Sequence, residues 1–276
     1  MKARQPQKAP PSPGGNHFKA KGGRQRLFPF YYAPGKKLFH VVVELSDAPG
    51  SYSSVLSLLR TKLNLIGTST YSLSDGTAVF SGFAEAISPG TTGQGIEDLV
   101  KGSKAAMEAV VREGKNGVLI DTYHTGLTVD GENYILLRSS GLRHMFDRVS
   151  KILGSGGDAL LFEEGGAMGR SAVEALHNRF EKDVARSQAA VLHRVMSAEG
   201  FGEITAEEGP VEGGFTLSVN NCFECSRGAP RTGCNFMRGY FVGAAETVFQ
   251  KKFEAAETKC VLKAADHCEF RLTPKS

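Results

Sequence analysis

The segment GCNFMRGYFVGAA, at residues 233–245, is the most informative part of the C-terminal half of this 276-residue chain. It predicts a helix at Cys234–Phe249 in which small residues recur. Those small residues would let a neighbouring element approach the helix backbone closely; they are Gly239, Gly243, Ala244 and Ala245. A cysteine stands at the first position of this predicted helix.

The elements predicted around this helix are a mixture of helices and antiparallel strands. Apolar residues at helical spacing predict two further helices, and turn residues between apolar runs predict a hairpin and two closing strands. In chain order these are helices at 142–153 and 171–199, a β-hairpin at 204–221, and strands at 253–263 and 268–272. The second half is therefore predicted to be an antiparallel sheet packed on helices.

Three cysteines and one glutamate near the C terminus have the chemistry of a zinc site. Glu257 and Cys260 are three positions apart, and Cys268 follows Cys260 after a short turn. Together with Cys234, they supply the four ligands of a closed tetrahedral zinc site, and sulfur ligands favour zinc or copper(I) over magnesium or calcium. The alternative is that these cysteines are buried thiols that pack as small hydrophobic side chains.

The segments 233–240, 257–260 and 268–270 resemble the 4-vinyl-reductase domain family, and the resemblance covers residues 130–276. This family includes the sensor domains of phenol- and xylene-responsive transcription activators, and it shares a fold with a vesicle-tethering subunit. The resemblance implies zinc ligands at spacings of 23, 3 and 8 residues, which are here Cys234, Glu257, Cys260 and Cys268. Because no ligand position is left for water, we expect a structural zinc ion and no catalytic residues.

The resemblance also implies an apolar ligand pocket beside the metal. The aromatic sensors use a tryptophan near the phenol, and this chain has no tryptophan, so the identity of the ligand is open. For each candidate lining residue, ordinary core packing is the alternative. The candidates are Phe180, Val184, Phe215, Leu217, Phe223, Phe236 and Tyr240.

A second pair of cysteines, Cys222 and Cys225, forms a Cys-x-x-Cys sequence. Such a sequence is typical of a redox pair or of half a metal site. Positions three apart on a strand face opposite sides of the sheet, which disfavours a disulfide there unless a turn intervenes. A redox role for this pair is therefore a hypothesis.

The first half of the chain predicts a ferredoxin-like βαββαβ domain at residues 37–128. Its first strand is the β-branched run at 38–45, its second helix is predicted at 96–112, and its last strand at 118–127. The loop Asp47-Ala48-Pro49-Gly50 between the first strand and helix resembles the opening loop of the ACT domain family. The resemblance implies an effector-binding loop at Asp47 and Gly50, or a dimerisation domain in which Gly50 only permits the turn.

The N-terminal arm differs in charge from the rest of the chain. Nine of the 33 basic residues precede the first acidic residue, Glu44, which leaves 24 basic against 29 acidic residues in the remainder. We expect residues 1–30 to be a disordered basic arm that aids solubility or makes weak contact with nucleic acid. Without an apolar run of membrane-spanning length or a signal peptide, the sequence predicts a cytoplasmic location and no membrane partner.

Together these features predict an α+β protein that acts as a zinc-containing sensor of a small hydrophobic or aromatic ligand. The small residues Gly239 and Gly243 permit close helix contact, which favours a homodimer. One alternative is an assembly or scaffold protein that uses the same fold without a ligand, and another is an accessory of a tetrapyrrole-pathway reductase. The sequence has no P-loop and no Gly-x-Ser-x-Gly motif, which disfavours enzyme activity but leaves it open.

Overall fold

The computed structural model divides the chain into two compact units, with the boundary between Tyr134 and Ile135. The two pocket candidates Phe180 and Val184 and most of the basic arm lie outside the described residues. For residues 185–191 only the backbone is described. The described residues are Leu27, 29–129, 131–177, 185–209, 213–226 and 231–275. No helix within these ranges is both long enough and apolar enough to cross a membrane.

The first unit is built around a four-stranded antiparallel sheet. Its elements are β1 (Phe30–Tyr32), β2 (Leu38–Ser46), α1 (Ser51–Leu59), β3 (Leu63–Ser72), β4 (Thr77–Ala86), α2 (Gly93–Lys101), β5 (Ala106–Glu113), β6 (Val118–Ile120), β7 (Leu127–Val129) and β8 (Glu132–Tyr134). The strand order in the sheet is β3-β4-β2-β5. This order confirms the predicted ferredoxin-like topology, whereas membership of the ACT family remains a prediction.

The central strand β2 is buried on both faces, which explains its nearly continuous apolar run. Phe39, Val41 and Val43 pack in the main core with residues of α1 and α2. On the opposite face, Leu38 packs with Phe83 and Leu119 in a smaller cluster. Side chains on this second face of β2 are therefore buried as well, although they do not pack against α1 and α2.

The sequence prediction was wrong about the end of the second helix and about the fourth strand. Helix α2 ends at Lys101, with Gly102 as its C-terminal cap, and Val110 and Val111 lie in β5 instead. These β-branched residues fit a strand better than a helix. The segment Val118–Ile120 does not close the main sheet, because it pairs with β1 in a separate two-stranded sheet.

The second unit combines four helices with a second four-stranded antiparallel sheet. Its elements are α3 (Ser139–Leu153), α4 (Ser155–His177), α5 (Ala185–Ala198), β9 (Glu203–Glu208), β10 (Phe215–Asn220), α6 (Asn235–Phe249), β11 (Phe253–Lys259), a short 3-10 helix (Val261–Lys263) and β12 (Cys268–Pro274). The strand order is β11-β12-β10-β9. The predicted antiparallel sheet packed on helices is confirmed. The predicted helix at 171–199 corresponds to the end of α4 and to α5, and residues 178–184 lie outside the described ranges.

Glycines on both partners bring the backbones of α4 and α6 into contact. Four of them have no room for a side chain: Gly165, Gly169, Gly239 and Gly243. A methyl group on Gly169 would overlap the carbonyl oxygen of Tyr240, and one on Gly243 would overlap that of Gly166. Because the obstacle in each case is backbone, neighbouring side chains cannot relieve it by moving. The small residues of the predicted helix therefore serve the packing of α6 on α4.

The packing of α4 on α6 predicts that Gly169→Ala destabilises the second unit. Overfilling a tight contact costs about 1–3 kcal/mol, and more where backbone must move, so we expect the free energy of unfolding to fall by at least about 2 kcal/mol. The matched control is Gly156→Ala in the same helix, where a Cβ meets open space. Urea denaturation of the two variants checks this prediction, and equal stabilities would contradict it.

Candidate metal centre

All five cysteines of the chain are buried and free of disulfide bonds. The loop after β10 supplies Cys222 and Cys225, and Cys234 immediately precedes the first residue of α6. Cys260 directly follows β11, and Cys268 is the first residue of β12. The sheet brings these elements together because Val219, near the end of β10, pairs with Cys268 across the antiparallel ladder.

The sulfur atoms of the cluster have the spacing that a single tetrahedral ion requires. Cys234 Sγ lies 3.7 Å from Cys260 Sγ and 3.6 Å from Cys268 Sγ. Cys225 Sγ lies 3.8 Å from Cys260 Sγ and 3.4 Å from Cys268 Sγ. With a Zn–S bond of about 2.3 Å, the sulfurs of a tetrahedral site are about 3.8 Å apart. The residues present therefore fit a mononuclear zinc site.

Two overlapping sets of four residues could each hold the ion. In each set the ligand atoms all lie within 4.8 Å of one another. One set is the predicted one, Cys234, Glu257, Cys260 and Cys268; the other is Cys222, Cys225, Cys234 and Cys268. The cysteine pair that the sequence suggested as a redox pair is thus part of the same cluster as the predicted zinc ligands.

Glu257 reaches the cluster because Gly233 leaves space for its carboxylate. A Cβ on Gly233 would overlap Glu257 Oε2. The other carboxylate oxygen, Oε1, accepts a hydrogen bond of 3.1 Å from the backbone N–H of Cys234. Burial, and after it the hydrogen bond with Cys260, raises the pKa of Glu257 to about 7, although the hydrogen bonds with Cys234 act in the opposite direction. A nearby cation would reverse this effect and favour the carboxylate.

The thiols of the cluster differ in how readily they lose a proton. Hydrogen bonding to Cys225 and Cys234 lowers the pKa of Cys260 to about 6, and hydrogen bonding to Cys225 lowers the pKa of Cys222. Hydrogen bonding to Cys222 raises the pKa values of Cys225 and Cys234. Thiolates are the form that binds a metal, so occupation of the site by an ion would release protons.

Glu224, between the two cysteines of the Cys-x-x-Cys sequence, holds the start of α6. Its carboxylate accepts hydrogen bonds from the backbone N–H groups of Phe236 at 3.2 Å and Met237 at 2.8 Å. The buried Arg231 donates to Glu224 Oε1 at 2.9 Å and to Asp147 Oδ1 at 2.6 Å. Burial raises the pKa of Glu224 to about 7, although Met237 and Arg231 favour its charged form. The sequence analysis did not assign a role to Glu224 or Arg231.

The predicted pocket residues do not share one cavity in the described part of the chain. Phe215 and Leu217 line a cavity of about 40 Å³ between β10, α5 and α6, with Phe241 and Phe249 on the side of α6. This volume is far below the roughly 300–1,000 Å³ of ordinary ligand sites. An aromatic ligand would therefore have to displace side chains to enter.

Three other candidates lie in an aromatic cluster of the core. The ring of Phe236 stacks on Phe146 with centroids 5.1 Å apart. Phe223 and Tyr240 both contact Phe201, at centroid distances of 5.1 Å and 5.3 Å. These residues pack together without lining the cavity, which is the alternative that the sequence left open for each of them.

The loop proposed as an effector site has the backbone conformation that a glycine provides. Gly50 has φ of 91° at the start of α1, a left-handed conformation that favours glycine. A Cβ there would meet open space, and Asp47 is exposed. The turn explains the glycine, and the effector role of Asp47 and Gly50 remains a prediction.

The burial of Arg231 between two carboxylates predicts that Arg231→Met is strongly destabilising. Removing one partner of a buried ion pair leaves uncompensated charge and costs about 3–5 kcal/mol. The control is Arg148→Met, because Arg148 is exposed on α3 and its replacement should change stability by no more than about 0.5 kcal/mol. The free energies of unfolding of both variants test this, and similar values would show that Arg231 does not stabilise the fold.

One sequence relative is an uncharacterized protein of Methanocaldococcus jannaschii. It is 28% identical over 120 residues, which are 42% of this chain and 65% of the relative. The chain thus spans less than two thirds of the length of that relative.

Three solved structures are similar to parts of this chain. The phenol-responsive sensory domain of the transcription activator PoxR, with phenol, covers 82% of this chain and 91% of its own at 13% identity, with a TM-score of 0.42. A trafficking protein particle complex subunit 3 from Naegleria fowleri, covalently bound to palmitic acid, covers 50% and 95% at 15% identity, with a TM-score of 0.40. A vinyl-4-reductase family protein from Methanocaldococcus jannaschii covers 52% and 85% at 18% identity, with a TM-score of 0.34.

A family model matches the part of the chain that contains the cysteine cluster. The matching model is that of the V4R domain, and it extends over residues 215–274, from the first residue of β10 to the last residue of β12. This match confirms the resemblance to the 4-vinyl-reductase domain family for that segment. The part of this chain that matches the V4R domain is therefore residues 215–274.

Proposed function

We propose that the second unit binds one structural zinc ion through Cys234, Glu257, Cys260 and Cys268. The sulfur–sulfur distances near 3.7 Å carry this proposal, because they match a tetrahedral Zn–S site. When bound, zinc would crosslink the start of α6, the C-terminal end of β11 and the start of β12 through its four ligands. Its binding free energy would add to the stability of the unit.

The role proposed for this zinc ion is structural because the four side chains fill a tetrahedral coordination shell. Catalytic zinc sites keep a position open for water, and these four ligands leave none. Cys222 and Cys225 then remain as additional thiols beside the ion. Cys225 lies as close to Cys260 and Cys268 as Cys234 does, so it is the competitor of Glu257 for the fourth position.

The zinc proposal predicts that Cys268→Ser lowers the zinc content of the purified full chain by one ion per chain. The same variant should unfold at a lower temperature, because the crosslink at the start of β12 is lost. Cys222→Ser is the matched control, since Cys222 is buried in the same cluster but is not one of the four proposed ligands. Elemental analysis measures the content, and equal zinc in wild type and Cys268→Ser would refute the proposed site.

We further propose that the V4R domain senses a small hydrophobic or aromatic ligand, and that the first unit binds an effector or mediates dimerisation. The observation that carries the sensor role is the position of α6, which starts at the cysteine cluster and lines the apolar cavity with Phe241 and Phe249. A ligand that enlarged the cavity would therefore displace side chains of α6, the helix whose first turn lies next to the proposed zinc ligand Cys234. An assembly protein without a ligand remains the alternative.

The sensor proposal predicts that phenol or xylene raises the unfolding temperature by several degrees. A ligand at 100 times its Kd stabilises the folded state by about 2.7 kcal/mol. Ala245→Val narrows the cavity and should abolish the shift, whereas Ala198→Val, at an exposed position of α5, should retain it. Thermal-shift measurements distinguish a ligand sensor from an assembly protein. If neither phenol nor xylene raises the unfolding temperature, the result favours the assembly protein.

A further inference from the structure

A second group of side chains with metal-ligand chemistry lies in the first unit, apart from the cysteine cluster. His40 is on β2, Asp121 follows β6, and His124 is three residues later. One ligand atom from each of the three lies within 4.8 Å of the others. His40 Nδ1 is 3.7 Å from Asp121 Oδ1, and His124 Nδ1 is 2.7 Å from Asp121 Oδ2.

The buried ring of His40 has one nitrogen without a hydrogen bond to any described residue. The side chain is fully buried, and its Nε2 lies 2.9 Å from the hydroxyl of Ser81. Its Nδ1 makes no hydrogen bond to any residue that the structure describes. An unsatisfied buried polar atom costs about 1–3 kcal/mol, so this nitrogen needs an explanation. It lies on the side of the ring that approaches Asp121, which is where an ion between the three side chains would sit.

Hydroxyl groups hold the other nitrogen of each histidine. The Nε2 atom of His124 is 3.1 Å from the hydroxyl oxygen of Tyr71. In the same way, the Nε2 atom of His40 is hydrogen-bonded to the hydroxyl of Ser81. With the proton on Nε2, His40 Nδ1 presents its lone pair towards Asp121. His124 Nδ1 donates to Asp121 Oδ2 at 2.7 Å, and an ion would take the place of that proton, which Nε2 would then carry. Histidines that ligate metals usually have their second ring nitrogen hydrogen-bonded in this way, which fixes the tautomer and the ring orientation.

The carboxylate is also held in place before any ion binds. The backbone N–H groups of Tyr123 and His124 each donate to Asp121 Oδ1 at 3.0 Å. An aspartate–histidine pair in a turn accounts for these contacts and for the 2.7 Å contact of His124. That pair does not explain why Nδ1 of His40 lacks a hydrogen bond to any residue in the described ranges. His40 lies on β2 and its side chain is fully buried.

We propose that His40, Asp121 and His124 bind a divalent transition-metal ion through the two Nδ1 atoms and the carboxylate. Two imidazoles and a carboxylate suit zinc and its neighbours in the first transition row better than magnesium or calcium. With bonds of about 2.0–2.2 Å, tetrahedral N and O ligands are about 3.4 Å apart. The 3.7 Å contact of His40 Nδ1 with Asp121 Oδ1 is near this value, and the 2.7 Å hydrogen bond of His124 Nδ1 with Oδ2 would lengthen when an ion replaces its proton.

Three protein ligands leave at least one coordination position open. Water or a donor atom of a small molecule can occupy that position, unlike the closed shell proposed for the cysteine cluster. The first unit would therefore carry an exchangeable metal site of nitrogen and oxygen donors, and the second unit a closed site dominated by sulfur. The two sites should differ in metal preference, because soft thiolates and borderline imidazoles select different ions.

Zinc titration of the full chain against a chromophoric chelator tests this second site. After removal of metals, wild type should bind two zinc ions per chain, and His124→Ala, which changes a partly exposed ligand, should bind one. Tyr71→Phe keeps all three ligands but removes the hydroxyl that holds His124, so it should weaken this site by about 10–100-fold. His144→Ala, at an exposed position of α3 outside both groups, is the control and should bind two.

Cobalt substitution separates this site from the cysteine cluster. Thiolate-to-cobalt charge-transfer absorption reports the cysteine site, and it should be unchanged in His124→Ala. Cys268→Ser should still bind one ion at the histidine site. The proposal is overturned if His124→Ala binds as many zinc ions as wild type, or if Cys268→Ser binds none, whereas an absent charge-transfer band in wild type would count against the cysteine site alone.

Discussion

The backbone N–H groups at the start of α6 have no partner within the helix, and a buried and a half-buried carboxylate accept hydrogen bonds from them. Glu224 receives those of Phe236 and Met237, and Glu257 receives that of Cys234. Both carboxylates also lie beside cysteine sulfurs, one within the Cys-x-x-Cys sequence and one in a proposed ligand set. The positive end of the helix dipole favours negative charge at the same place. The position of Glu224 and Glu257 at the start of α6 therefore serves both the capping of the helix and the clustering of the cysteines.

The position of α6 is fixed on its other side by its crossing with α4. The glycines at the crossing have no side chains, so the backbones of α4 and α6 lie in direct contact. A shift of α6 towards α4 would therefore make backbone atoms clash. A rigid helix that begins at the cysteine cluster and lines the apolar cavity would transmit a change at either end to the other. This coupling is the physical basis of the sensor role proposed for the unit.

Local spacing could not bring Cys234 and Glu257 to the same place, and the family resemblance grouped them with Cys260 and Cys268 because it carries long-range information. The structure places these four side chains close together, but it adds Cys222 and Cys225, which the sequence analysis kept apart from them. The pattern of apolar spacing failed at Val110 and Val111, because a short apolar run after a helix can continue the helical spacing even where its β-branched residues favour a strand. The role of Glu224 was not predictable from its neighbours, since its partners lie on α6 and at Arg231. The proposed histidine site was not predicted for the same reason: His40 and Asp121 are distant in sequence and meet only where β6 packs against β2, as Leu119 does against Leu38.

Anomalous diffraction at the zinc absorption edge, from crystals of the full chain, tests the central claim most directly. The claim is that three sulfurs and one carboxylate of the segment that matches the V4R domain surround one ion. The account predicts an anomalous peak about 2.3 Å from the sulfurs of Cys234, Cys260 and Cys268 and next to the carboxylate of Glu257. A disulfide within the cluster, or a peak coordinated by Cys222 and Cys225 in place of Cys260 and Glu257, would contradict it.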